Sequence, residues 1–166
     1  MNLNKLKINL EIESLKIIKK DHLDIFLYES DLFEMRLKEE KIRADVFKSD
    51  FVIMEILWDK LFQVDTQDHE ISKVLRQLFY TITHSSRGSD IKGFAEKQSG
   101  LLVLLLDSNL TAAHRMVRRI SEKFRTEGLN QYIHEKAFTQ TFDCAFYSGE
   151  HQQFQIVDMN IPSFNI

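Results

Sequence analysis

Arg87 and Asp90, separated by Gly88 and Ser89, are the residues whose chemistry is easiest to name. A guanidinium can donate two parallel hydrogen bonds to O6 and N7 of a guanine edge or clamp a phosphate, and a carboxylate can accept from the guanine N1 and N2 groups. Arg115, Arg118 and Arg119 follow within one helical segment, and the first two offer a second phosphate contact. A purely structural account competes with this. Arg87 suits a helix C-terminus, where positive charge complements the dipole, with Asp90 as its local partner, and the three later arginines suit a solvated face balanced by Glu122. An Arg-x-x-Asp spacing arises so often by chance that only its place in the chain gives it weight. Other chemistry is weaker. The six histidines are scattered, and no glycine-rich phosphate loop occurs. Cys144 is the single cysteine and alternates with Phe142 and Phe146, which makes it a buried structural thiol and excludes an intrachain disulfide or a cysteine-based zinc site. No cofactor or metal is implied.

The element that must position Arg87 and Asp90 is a hairpin. Asp90 to Ala95 reads as a short strand, Glu96 to Gly100 as a polar turn, and Leu101 to Leu106 as an unbroken aliphatic strand, of the kind covered on both faces. Before it, Phe51 to Leu57 is rich in strand formers. A helix follows, capped by Asp65, Thr66 or Asp68 and carrying Ile71, Val74, Leu75, Leu78, Phe79 and Ile82 at helical spacing. Beyond the hairpin, Asp107-Ser108-Asn109 caps a second helix with Ala113, Met116, Val117, Ile120 and Phe124 on its buried face, and Gly128 terminates it. Phe138 to Tyr147 alternates as another strand, Phe154 to Val157 adds an edge strand, and Pro162 forbids a regular continuation in the tail. The fold expected is α+β, a βαββαβ ferredoxin-like sheet with helices on one face.

Residues 1–48 contain neither glycine nor proline and are expected to form a helical arm preceding a domain of residues 49–166. Their start is ambiguous: Leu6, Ile8, Leu10 and Ile12 alternate like a strand, whereas Leu3, Leu6, Leu10 and Ile17 share a helical face, and helix is the reading taken. From Asp31, a cap candidate, Leu32, Met35, Ile42 and Val46 form a stripe that more often packs on its own domain than on a partner. The 166 residues, 43% hydrophobic and 28% charged with a formal net charge of −3, are those of a soluble protein with one folding unit. That charge argues against a nucleic-acid polymer as partner, and no apolar run is long enough to insert in a membrane, so the cytoplasm is the expected compartment.

This order of elements, with Arg87-Gly-Ser-Asp90 lying five residues before Glu96-Lys-Gln-Ser-Gly100, resembles the GGDEF family of bacterial diguanylate cyclases over about residues 37–147. The family sets an Arg-x-x-Asp motif at that offset before its Gly-Gly-Asp/Glu-Glu-Phe turn. Leu101-Leu-Val-Leu-Leu-Leu-Asp-Ser-Asn109 is similar to its next strand and helix start, and Ala113 to Ile120 to the helix. Residues 39–54 resemble divergent members, some of which accompany exopolysaccharide systems. The resemblance implies a nucleotide-cyclase fold, with the Arg-x-x-Asp pair as an inhibitory site for cyclic di-GMP that a helix arginine, here Arg119, often joins. It also implies that the helix leading into the domain is a dimer or partner surface.

A cyclase joins two GTP molecules with the help of divalent cations, and hard cations need carboxylate oxygens. Here Glu96 and Lys97 stand for the family's glycines, Gln98 and Ser99 for its acids, and Gly100 for its aromatic. The strand Phe51 to Leu57 has only Glu55 near the family's paired aspartates, with Asp59 beyond its end. The expectation is therefore a non-catalytic GGDEF-like regulatory or protein-interaction domain, not an enzyme, with exopolysaccharide control as a possible output. The alternative is a cyclic di-GMP receptor using Arg87, Asp90, Arg115, Arg118 and Arg119, and an active diguanylate cyclase is a remote third.

Overall fold

A computed structural model describes residues 9–63, 65–132 and 141–157. The elements are α1 (Leu10–Lys20), β1 (Leu27–Tyr28), α2 (Ser30–Phe47), β2 (Asp50–Leu57), α3 (Trp58–Leu61), α4 (Asp68–Ser85), β3 (Ile91–Phe94), β4 (Gly100–Leu106), α5 (Leu110–Thr126), β5 (Phe142–Ser148) and β6 (Gln153–Val157). One six-stranded sheet has the order β1-β3-β4-β2-β5-β6. All pairings are antiparallel except the short β1–β3 pair. From β2 to β5 the chain follows the expected βαββαβ path, with β2 central: Met54 stands opposite Val103 on one side and Cys144 on the other.

Local chemistry accounts for the element ends. The Asn9 side chain accepts from the Ile12 amide at 3.1 Å and caps α1, with Glu11 and Glu13 in its first turn and Lys19 and Lys20 in its last. Helix α4 is capped by Gln67, paired reciprocally with Glu70, rather than by Asp65, Thr66 or Asp68. Helix α2 begins after Glu29, so Asp31 lies in its first turn and is not its cap. Asn109 caps α5 as expected, and Gly128, at φ 66°, follows its end. The described part of the strand expected from Phe138 begins at Phe142. Phe138 to Gln140, the tail with Pro162, and Leu3, Leu6 and Ile8 lie outside the described residues.

Both faces of the sheet are covered, and the segment read as an arm takes part on both. Val52, Met54, Ile56, Leu101, Val103 and Leu105 pack with α4 and α5, and Leu10 and Ile17 of α1 join the same core. Polar contacts fix α1 against α4, with Arg76 Nε 2.5 Å from Asp21 and Ser72 Oγ 2.8 Å from Glu13. On the other face α2 sets Phe33, Leu37 and Ala44 against Phe51, Ile91, Leu104, Leu106 and Tyr147. Helices α4 and α5 thus share one face, as expected for the βαββαβ sheet, and α2 covers the other. No described helix is long and apolar enough to cross a membrane.

The stripe picked out on α2 turns the other way. Leu32, Met35, Ile42 and Val46 are 49%, 57%, 65% and 67% exposed, so they face solvent and do not pack on their own sheet. The helix carries two apolar faces, and close approach selects the other one. Gly93 of β3 leaves the space that Phe33 fills, since a Cβ there would lie 2.7 Å from the Phe33 ring and from the Tyr28 carbonyl. Glu40 is buried on the inner side and pairs with Arg43 at 2.6 Å and Arg36 at 3.5 Å.

Candidate functional site

The β3–β4 hairpin has a polar turn at one end and the Arg87–Asp90 segment at the other. In the turn, Lys97 (φ 55°, ψ 28°) and Gln98 (φ 57°) are consecutive left-handed residues. That is the backbone of a tight hairpin turn that favours Asn and Gly, and side chains with a Cβ there cost on the order of 1 kcal/mol each. The Ala95 amide donates to the Gly100 carbonyl at 2.9 Å and the Ser99 amide to Glu96 at 3.3 Å, so the turn closes without the family's glycines. Gly100 faces the β2 backbone: a Cβ there would fall 2.3 Å from the Ile56 carbonyl oxygen, which leaves no room for the aromatic residue the resemblance sets at this place.

Ser99 stands where an acid would be needed, and its hydroxyl donates to Glu55 Oε1 at 3.1 Å. Glu55 is half-buried on β2, directly opposite Asp143 on β5. Burial pushes its carboxyl above the ordinary 4.5, Asp143 and Asp59 push the same way, and the Ser99 hydrogen bond opposes them. The site therefore holds an acid that resists ionisation beside a neutral donor. Such a pair binds a hard cation less well than two adjacent carboxylates.

At the opposite end the two residues of the motif have separate tasks. Asp90 is 6% exposed, and both of its oxygens are used: Oδ2 accepts from the Arg87 backbone amide at 2.7 Å and Oδ1 from the Leu106 amide at 3.1 Å. It ties the start of β3 to the end of β4, and it does not present its carboxylate to solvent beside Arg87. The Arg87 side chain is exposed and donates through Nη2 to Ser108 Oγ at 2.7 Å, while Ser108 donates to the Leu106 carbonyl at 2.9 Å. Arg115, Arg118 and Arg119 all lie on the exposed side of α5. Arg118 pairs with Glu122 at 3.3 Å, Arg115 reaches the Thr111 carbonyl at 3.4 Å, and Arg119 makes no hydrogen bond or ion pair among the described residues. None of the three is bonded to Arg87 or Asp90.

Two participants were missed in the sequence. Lys92 is 7% exposed, and its Nζ donates to the Arg87 carbonyl at 3.2 Å. Burial lowers its pKa from the ordinary 10.5, against the opposing pull of Asp90 and Asp24. A lysine inside the strand Ile91-Lys92-Gly93-Phe94 was the available signal. Ser108, read only as part of a helix cap, is the partner of Arg87. Cys144 is buried as expected, and burial pushes its thiol up to about 12, an inert group at neutral pH.

No family model matches the chain, and no curated protein matches it. Solved structures do. A DGC protein from Thermotoga maritima superposes with a TM-score of 0.53 at 17% identity, over 74% of this chain and 82% of that one. Diguanylate cyclase SiaD from Pseudomonas aeruginosa, in complex with its activator SiaC, gives a TM-score of 0.46 at 21% identity, over 70% of this chain and 46% of that one. The first of these likenesses shows that the chain has the diguanylate cyclase fold, in agreement with the resemblance drawn from its sequence.

Asp90→Ala is expected to cost about 3 kcal/mol in chemical denaturation, because two backbone amides lose a charged acceptor, whereas Arg87→Ala should cost under about 1 kcal/mol. Equal losses would contradict the division of tasks. For Glu55, the raised folded pKa means that the folded state binds more protons than the unfolded state in the interval above 4.5, so the wild type loses stability as pH rises through it. Glu55→Gln should therefore be more stable than wild type at pH 7, and this advantage should shrink as pH falls through the raised pKa and be gone below 4.5 in parallel unfolding curves.

Proposed function

We propose that this chain is a non-catalytic domain of the diguanylate cyclase fold, acting in the bacterial cytoplasm as a signalling module through protein contacts made by the outer face of α2. The observation that carries the reading is that face itself. Leu32, Met35, Ile42 and Val46 are exposed, and with Glu39 in the central slot they follow the three-four spacing of a helix that packs against another helix. The occupant proposed is a second copy, in keeping with the dimer surface that the sequence resemblance implies for the helix leading into the domain. The Ser99–Glu55 pair supports the non-catalytic part of the reading. The sequence resemblance to divergent members points to exopolysaccharide control as the output.

Light scattering over a concentration series tests this. Met35→Glu combined with Ile42→Glu should lower the average mass wherever the wild type is associated, with little change in stability because both side chains are exposed. A mass unaffected by the pair of substitutions would contradict the reading.

A second reading, reception of cyclic di-GMP, rests on the exposed Arg87 guanidinium at the start of α5, with Arg115, Arg118 and Arg119 further along that helix. It has to work without Asp90 as a guanine acceptor, because that carboxylate is occupied. Titration calorimetry with cyclic di-GMP should then give heat that Arg87→Ala abolishes. Absence of heat at high micromolar ligand, or heat indifferent to the substitution, would sink it.

A further inference from the structure

Strand β6 ends the sheet, and its outer edge pairs with no other strand among the described residues. Folded proteins guard such edges with very short strands, charges, proline or bulges. The opposite edge follows that rule, since β1 is two residues long. Gln153–Val157 uses none of these devices within the strand: its five residues include no charge, proline or glycine, and each pairs in regular register with β5. Ile156 is 95% exposed, more than any other large apolar side chain described, and Phe154 is 45% exposed although its ring packs on Tyr147 at 4.7 Å.

The strand is also complementary to itself. Phe154 and Ile156 lie on the sheet face that bears Tyr147 and Phe51, while Gln153, Gln155 and Val157 lie on the other, where Val157 touches the main core. A second copy laid antiparallel about Gln155 would place Phe154 opposite the second copy's Ile156, and Ile156 opposite its Phe154. On the other face, Gln153 would meet Val157 and the two Gln155 side chains would lie together. Aromatic against β-branched residues is a favourable cross-strand pairing, and no like charges meet. A foreign peptide strand could use the same backbone groups, but only a second copy supplies this symmetric match of side chains from residues already present.

We propose that β6 pairs antiparallel with β6 of a second copy, giving a continuous sheet across a two-fold axis. A five-residue ladder covers less than the roughly 800 Å² per partner of stable complexes, so the contact is weak and depends on concentration. It is independent of the α2 contact proposed above. Two different two-fold contacts on one chain build assemblies larger than a dimer.

Sedimentation velocity on four full-length chains separates the two surfaces: wild type, Ile156→Lys, Met35→Glu with Ile42→Glu, and the triple variant. The wild type should grow beyond a dimer as concentration rises, and Ile156→Lys should stop at the dimer. The α2 variant should retain a dimer that is lost in the triple variant. Ile156 is almost fully exposed, so circular dichroism should confirm unchanged folding in each chain. An α2 variant that stays monomeric throughout, or a residual dimer that Ile156→Lys leaves intact, would overturn the β6 contact. The second outcome would point to self-association through another surface. Failure of the α2 reading has a different signature, because the Ile156→Lys chain would then be monomeric while the α2 variant still dimerised.

Discussion

An unbroken aliphatic strand cannot be left half-covered. Gly100–Leu106 has Leu101, Val103 and Leu105 on one face and Leu104 and Leu106 on the other, and burying each such side chain is worth roughly 1.5–3 kcal/mol. Helices α4 and α5 satisfy only the first face. The second demands another layer, and α2 supplies it from the preceding segment. That demand sets how α2 is turned, because Gly93 receives Phe33 and Ala44 sits close to the strand ends. Once Phe33, Leu37 and Ala44 are committed inward, geometry forces Met35, Ile42 and Val46 outward. The surface to which function is assigned is thus a by-product of covering β4.

The same economy governs the two ends of the hairpin. In a cyclase the turn would bring acids to metal and backbone to nucleotide, yet here it holds left-handed Lys97 and Gln98, a serine bonded to Glu55, and a glycine pressed against Ile56. At the far end Asp90 braces β3 against β4, and Lys92 is a buried donor to the backbone of the same loop. These residues serve the fold. Of the Arg87–Asp90 pair, only the guanidinium of Arg87 faces solvent.

Much of the architecture was legible because it rests on local patterns. The aliphatic run, the strand before it and the apolar stripes of α4 and α5 each announce their own period, and their order predicts the antiparallel sheet. What could not be read depends on contacts distant in sequence. The orientation of α2 is undecidable from a helix with two apolar faces until Gly93 is brought beneath it. The place of α1 against α4 needed the Asp21–Arg76 pair, which spans 55 residues. Asp90 and Arg87 looked like partners facing a ligand because their spacing is short. The decisive bond, from Asp90 to the Leu106 amide, crosses the hairpin and appears only when the strands are in register.

The central proposal is that the cyclase fold here carries no cyclase chemistry. Incubating the full chain with GTP and Mg²⁺ and analysing the products by mass spectrometry tests that most directly. The account predicts that GTP is recovered and no cyclic dinucleotide accumulates, whatever the protein concentration. Cyclic di-GMP formed by the wild type and lost in Glu55→Gln would contradict it, because Glu55 would then be a working metal ligand and not a carboxyl held by burial and Ser99.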